Sequence, residues 1–269
     1  MSPTVNLNNK VKIPSLGFGT WKLKPPVEAR NAVEVALKTG YRHIDTARIY
    51  LNEGSVGKAI KDSGIARKDL FITTKLWNAS HKHAEKAFEN SLKRLGVDYV
   101  DLYLIHFPVS GTRLEAWKTL ESIYKSGRAR AIGVSNFTIR HLEELLSVSA
   151  VVPAVNQVEF HPFLYQKDLL DFCKLHRIIL EAYSPLVHGE RMENAVITQV
   201  AKHHKKTNAQ VLIKWSLQHG NVVIPKSKTP SRIKENFEVF DFKLSASEMT
   251  RLNGLNEGLR TCWDPTNVP

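Results

Sequence analysis

FITTKLWNASHKHAEKAFENSLKRLGVDYVDLYLIH, residues Phe71–His106, reads as strand, helix and strand in succession. FITTK (Phe71–Lys75) is rich in β-branched and aromatic residues, the composition of a strand. Ala84, Phe88, Leu92 and Leu95 then recur on one face at a period near 3.6, and Gly96 closes that helix. YVDLYLIH (Tyr99–His106) returns to a strand. Two strands joined by a helix of this length run parallel, because a crossover helix must carry the chain back to the starting edge.

The same unit repeats outward in both directions. Upstream, SLGFGT (Ser15–Thr20) is a strand; Pro25 and Pro26 open a helix that Gly40 closes, and RHIDT (Arg42–Thr46) precedes a short helix around Val56 and Ile60. Downstream, ARAIGV (Ala129–Val134), AVNQV (Ala154–Val158), IILEAY (Ile178–Tyr183) and NVVIP (Asn221–Pro225) each precede helical material. Eight strand–helix units in strict alternation predict an α/β chain closing as a (β/α)8 barrel, a TIM barrel, and 269 residues match the roughly 250 such a barrel needs. No linker interrupts them, so residues 1–269 are read as a single domain. Two short runs, Val5–Leu7 and Lys10–Ile13 around Asn8-Asn9, predict an N-terminal β-hairpin closing the bottom of the barrel. A doubly wound open sheet is the alternative, but no G-x-G-x-x-G follows the first strand.

Composition narrows the function. Hydrophobic residues at 42% and charged residues at 24% are those of a globular domain. No apolar run approaches the about 18 residues of a membrane span, and MSPTVNLNNK lacks the apolar core of a signal peptide. Cys173 and Cys262 stand far apart without a C-x-x-C pairing, which speaks against a disulfide framework and fits the cytoplasm. The formal net charge of +12 suits an anionic small molecule. Its densest stretch, KHHKK (Lys202–Lys206), sits at a helix end where cations favour the dipole, with no nucleic-acid module beside it. His81-x-His83 and His203-His204 lack further ligands at metal-site spacing, so no metal is expected. The expected partner is a small molecule, with neither nucleic acid nor membrane, and the chain is expected to act as a monomer.

In a parallel barrel, chemistry gathers at the C-terminal ends of the strands. Asp45 ends RHIDT, Tyr50 lies just beyond it, Lys75 ends FITTK and His106 ends YVDLYLIH. A lysine closing an apolar strand is costly unless paired, and Asp45 is the obvious partner. A lysine beside a tyrosine hydroxyl favours the phenolate, so the Tyr50 pKa is expected to fall from about 10, suiting a proton donor. Taken singly, each of the four reads as a structural pair, a rim aromatic or a core histidine. Together on neighbouring strand ends they read as a site. After the last strand, IPKSKTPSRIKEN (Ile224–Asn236) sets Lys226, Ser227 and Arg232 before a helix N-terminus, a ready anion site. Ser135, Asn136 and Gln157 add hydrogen-bonding groups at the same mouth, and Tyr183 offers a flat face for stacking.

With these residues in view, the chain resembles the aldo-keto reductase family along its whole length. The matching stretches are GFGTW (Gly17–Trp21), GYRHIDTARIYLNE (Gly40–Glu53), TTKLW (Thr73–Trp77) and DLYLIHFP (Asp101–Pro108). GVSNF (Gly133–Phe137), NQVEFHP (Asn156–Pro162), AYSPL (Ala182–Leu186) and IPKS (Ile224–Ser227) follow in order. The resemblance implies hydride transfer from NADPH to an aldehyde or ketone, with a catalytic set of Asp45, Tyr50, Lys75 and His106. Tyr50 would be the acid, Lys75 its partner, Asp45 the partner of Lys75, and His106 the group orienting the carbonyl. It implies that Ser135, Asn136 and Gln157 hold the nicotinamide carboxamide and that Tyr183 stacks on its ring. Gly19, Thr20, Ser184 and Leu186 would contact the cofactor. Lys226, Ser227, Arg232 and Asn236 would hold its adenosine end, with Lys226 and Arg232 favouring NADPH over NADH. Trp21, Trp77 and Phe107 would line the substrate pocket, Phe107 standing where many relatives carry tryptophan. The short loop Val109–Thr112 and the few residues after Trp263 resemble the compact bacterial or plant forms. An alternative within the same family is a cofactor-binding regulatory subunit with little turnover.

Overall fold

The computed structural model describes residues 2–269. Strands β1 (Thr4–Asn6) and β2 (Lys12–Pro14) form an antiparallel pair in which Val5 faces Ile13. Eight further strands follow: β3 (Phe18–Gly19), β4 (His43–Asp45), β5 (Phe71–Leu76), β6 (Leu102–Ile105), β7 (Ile132–Ser135), β8 (Val155–Glu159), β9 (Ile179–Tyr183) and β10 (Val222–Val223). They pair in parallel in chain order from β3 to β10. The ring closes where Gly17 N donates to Val223 O, Val223 N to Ser15 O and Gly19 N to Pro225 O. This is the expected (β/α)8 barrel.

Among the described residues ten α-helices surround the ring: α1 (Val27–Thr39), α2 (Glu53–Asp62), α3 (Ala84–Leu95), α4 (Arg113–Lys125), α5 (Ile139–Val148), α6 (Lys167–Leu175), α7 (Ala195–His204), α8 (Asn208–Gln218), α9 (Pro230–Phe237) and α10 (Ala246–Asn253). On α3 the buried residues include Ala84, Phe88, Leu92 and Leu95, the face read from their spacing. Gly96 ends it at φ 67°, donating its N–H to Leu92 O.

Alternation along the strands divides the core in two. Leu102 and Leu104 of β6 point into the bore with Phe71, Ala131, Val155 and Val222, while Tyr103 and Ile105 face the helices. Leu7 and Ile13 of the hairpin complete the inner cluster from below. Asn8 donates to Pro153 O at 3.0 Å and Asn9 to Arg130 O at 2.8 Å, tying the hairpin to loops at the strands' N-terminal side. The bottom is thus plugged, and a ligand can enter the bore only from the C-terminal end of the strands.

Helix α2 shows how close the outer layer packs. A Cβ on Gly57 would stand 2.2 Å from the Leu95 carbonyl oxygen, whereas one on Gly54 would find its nearest neighbour, Arg94 O, at 3.9 Å. Alanine favours a helix by about 1 kcal/mol over glycine, but overpacking against backbone costs about 1–3 kcal/mol. Gly57→Ala should therefore lower unfolding free energy in urea, while Gly54→Ala leaves it equal or higher. Equal effects at the two positions would contradict this packing.

Candidate active site

Lys75 is fully buried, and its ammonium has three protons to place. Nζ lies 2.6 Å from Asp45 Oδ1, 2.9 Å from Thr46 O and 3.3 Å from Tyr50 OH, so each proton has an acceptor. The sequence arranges this by register. Asp45 ends β4 beside Thr73 of β5, and Lys75 two residues on shares the face of Thr73. Thr20 holds the Asp45 backbone by donating N–H at 3.0 Å and Oγ1–H at 2.9 Å to Asp45 O. Asn52, fully buried, ties down the loop that carries Tyr50: it accepts from Thr46 Oγ1 at 2.8 Å and donates to Thr20 O at 2.9 Å.

Tyr50 sits in a single 3-10 turn, Arg48–Tyr50, with its hydroxyl between Lys75 and an open cavity. Its pKa moves opposite to the expectation from sequence. Burial first, then the charge of Asp45, push it well above the usual phenol value. Lys75, whose charge the carboxylate at 2.6 Å already answers, does not overcome them. Tyr50 is therefore a protonated phenol at neutral pH.

His106 closes the other side, its ring 5.6 Å from that of Tyr50. Burial, then the charge of Lys75, hold its pKa well below the usual imidazole value, so the ring is neutral. Nδ1 is enclosed without a hydrogen-bond partner among the described residues. Aromatic side chains wall it in: Trp77 at 5.5 Å and Trp263 at 6.1 Å between ring centroids.

A cavity of about 1110 Å³ runs from this cluster across the barrel mouth. Ser135, Asn136, Gln157 and Tyr183 line it, already linked to one another. Tyr183 OH donates to Asn136 Oδ1 at 2.7 Å, Asn136 Nδ2 to Ser135 Oγ at 3.0 Å, and Ser135 Oγ to Gln157 O at 2.8 Å. The loop after β9 follows the wall, with Ser184 at φ 47° and Leu186 beyond it. At the far end stand Lys226, Ser227, Arg232 and Asn236, before and within α9. Burial, reinforced by Lys22 and Lys228, lowers the Lys226 pKa, so an anion there would be welcome. The buried Asn236 forms no side-chain hydrogen bond among the described residues.

Three expected contacts fall elsewhere. Thr20 is fully buried behind Asp45 and does not line the cavity, because its hydroxyl is spent on the strand end. Trp77 and Phe107 are half-buried beside His106 and Trp263 and are not among the residues lining the cavity. Trp263 covers both, at 5.5 Å and 6.3 Å between centroids, and takes the lining position. Gly19 and Trp21 do line the cavity, and Trp21 packs edge-on to His188 at 5.6 Å. Sequence reading missed Asn52, Glu181, His188, Cys262 and Trp263. Glu181 carried a usable signal, a charge inside the apolar run IILEAY, as Lys75 did in FITTK. The pair His203-His204 finds a third polar group in Glu248, whose Oε1 is 2.8 Å and 3.0 Å away. That carboxylate also accepts from Ser245 N at 2.7 Å, capping α10, so the cluster ties α7 to α10.

Residues 15–257 match the model of the Aldo/keto reductase family. The chain belongs to that family. It is 50% identical over 270 residues to glyoxal reductase of Bacillus subtilis (strain 168), covering 100% of this chain and 98% of that one. It is 45% identical to morphine 6-dehydrogenase of Pseudomonas putida, covering 99% and 96%. An aldo-keto reductase of Bombyx mori solved in complex with NADP superposes with a TM-score of 0.91 at 36% identity, covering 97% and 94%.

The site has a direct energetic test. Removing one partner of a buried ion pair strands the other charge, at about 3–5 kcal/mol. Lys75→Met should lose that much in urea unfolding, and adding Asp45→Asn should recover a large part of it. Simply additive losses in the double variant would show that the pair is not coupled.

Proposed function

We propose that the protein is an NADPH-dependent oxidoreductase that reduces aldehydes and some ketones to alcohols, with Tyr50 as the proton donor. The observation that carries this is the contact of Tyr50 OH with a lysine already neutralised by Asp45, beside a neutral histidine, at the end of a long cavity. The glyoxal reductase and morphine 6-dehydrogenase names of two relatives, and the NADP held by a third, support carbonyl chemistry with this cofactor.

The residues present fit a dinucleotide. The cavity exceeds the roughly 300–1,000 Å³ of pockets for drug-sized ligands, leaving room for a small substrate beside it. Ser135, Asn136, Gln157 and Tyr183 would hold the nicotinamide end. Gly19, Ser184 and Leu186 would follow the middle, and Lys226, Ser227, Arg232 and Asn236 the adenosine end, where two cations suit a 2′-phosphate. Bound NADPH supplies the hydride.

This chain's own residues do the remaining work. Tyr50 gives its proton to the carbonyl oxygen as negative charge develops there. Lys75, donating to Tyr50 OH, stabilises the phenolate left behind, and Asp45 keeps the ammonium charged and in place. His106, neutral, donates a hydrogen bond to the same oxygen and sets its orientation. Trp21 and Trp263 give the substrate apolar walls, with Trp77 and Phe107 packed against Trp263. The protein would act as a monomer in the cytoplasm on small-molecule carbonyls, engaging neither nucleic acid nor membrane. No helix among the described residues is long and apolar enough to cross a membrane.

Loss of NADPH absorbance with glyoxal and a panel of aldehydes and ketones tests the activity. In that assay Tyr50→Phe should lower kcat by at least about 10²–10⁴, the usual worth of a general acid, with NADPH affinity within about threefold. Unchanged turnover would remove Tyr50 from the mechanism. Tight NADPH binding without turnover in the wild type would favour a regulatory role instead. Because the His106 pKa lies well below 6.5, the ring stays uncharged as pH falls from 7 to 6. The kcat of reduction should then be flat across that interval, and a decline centred near 6.5 would show that His106 titrates normally.

A further inference from the structure

Gln157 is held in a way the reaction scheme above leaves unexplained. Its Nε2 donates to Asp45 Oδ2 at 2.8 Å and to Glu181 Oε2 at 2.7 Å. Both amide protons are thereby used. Glu181 is its register partner on β9, whereas Asp45 belongs to β4, four strands away across the bore. Rotating the amide by half a turn would set its oxygen against a carboxylate oxygen of Asp45, so the orientation is determined by charge. Oε1 accepts no hydrogen bond among the described residues, and Gln157 lines the cavity. The amide therefore presents an acceptor, and only an acceptor, to whatever lies there.

We infer that Glu181 is a positioning residue: with Asp45 it clamps Gln157 so that Oε1 receives an N–H of the cofactor's carboxamide. This rests on the NADPH reading above. Glu181 is fully enclosed and its Oε1 has no hydrogen-bond partner among the described residues, which leaves that oxygen as the place for a proton. The groups around it are Asp45 and Lys75, His43 with Nε2 at 3.6 Å, and Gln157. His43 is itself neutral, its pKa lowered to about 3 by burial and then by Lys75. Burial, then the charge of Asp45, push Glu181 up to about 8. Of the two carboxyls, Asp45 has the ammonium at 2.6 Å, so Glu181 keeps the proton. The Asp45–Lys75–Glu181 cluster then holds one cation and one anion, and the second carboxyl serves as a neutral hydrogen-bond acceptor.

The role separates from general packing by chemistry. Glu181→Gln retains an acceptor oxygen at the same reach, while Glu181→Leu and Glu181→Ala remove it. Fluorescence titration of each variant with NADPH, and with 2′-phospho-ADP-ribose, which lacks nicotinamide, makes the comparison. Losing one hydrogen-bonded orientation is worth about tenfold in affinity. Glu181→Leu and Glu181→Ala should weaken NADPH about tenfold and leave 2′-phospho-ADP-ribose within twofold, while Glu181→Gln binds both like the wild type. On a Gln157→Leu background, removing Glu181 should cost nothing more. Unchanged NADPH affinity in either apolar variant, an equal loss of the fragment, or a glutamine variant as weak as alanine would each overturn the inference. Wild type that binds neither ligand would instead overturn the NADPH reading, before any variant is compared.

Discussion

A lysine ammonium with no access to water can exist in this barrel only because Asp45 lies 2.6 Å away. Stripping an ion of water costs several kcal/mol even after relaxation, and only a close counter-charge with further hydrogen bonds offsets it. Thr46 O and Tyr50 OH supply those bonds. The pair therefore sets three things at once: where the strand ends must lie, how the loop after β4 must turn, and which face of Tyr50 meets the cation. Thr20 and Asn52 are best understood as parts of that requirement, since each holds backbone next to Asp45 or Tyr50 and reaches no ligand space of its own.

The same electrostatic closure explains the protonation states around it. An unpaired lysine would draw the phenol toward ionisation; a paired one leaves burial to decide, and burial favours the neutral form of Tyr50, His106, His43 and Glu181 alike. A neutral phenol beside a positioned ammonium keeps its proton while the carbonyl oxygen is uncharged and gives it up once that oxygen turns anionic and becomes a stronger base. On the proposed reading, that makes proton transfer follow the developing charge instead of preceding it, which is where hydrogen-bond stabilisation accelerates a reaction.

Much of this is legible in the amino-acid sequence, and the limits have physical causes. Periodicity reveals the strands and helices because it reports which face is buried, and β5–α3–β6 shows it almost residue by residue. Lys75 stands out because a charge closing an apolar strand demands an explanation. Glu181 demands one equally, but its partners, Gln157 and Asp45, lie on other strands, and one of them sits across the bore. The direction of the Tyr50 shift depends on how much water reaches the phenol, a property of packing and not of spacing. Trp263 reaches the cavity and packs against Trp77 and Phe107 because the C-terminal segment folds back over the strand ends. No local pattern near Trp77 or Phe107 carries that information.

The cavity's two ends differ in kind. Around Lys75 the charges cancel inside a closed, rigid network that spans the bore through Gln157. At the other end Lys226 and Arg232 stay open to solvent at the mouth of the cavity, in a chain of net charge +12. An anion arriving from solvent is therefore drawn first to these cations, and the uncharged part of the same ligand is left to enter the dry end. An anion-anchoring cation beside the reacting atoms, unlike the Asp45-paired Lys75, would have to be exposed to water there or buried unpaired. Separating the anchoring charge from the balanced interior by the length of the cavity avoids both costs. It also lets affinity come from one end of a long ligand while the other end stays free to be oriented by neutral hydrogen bonds alone.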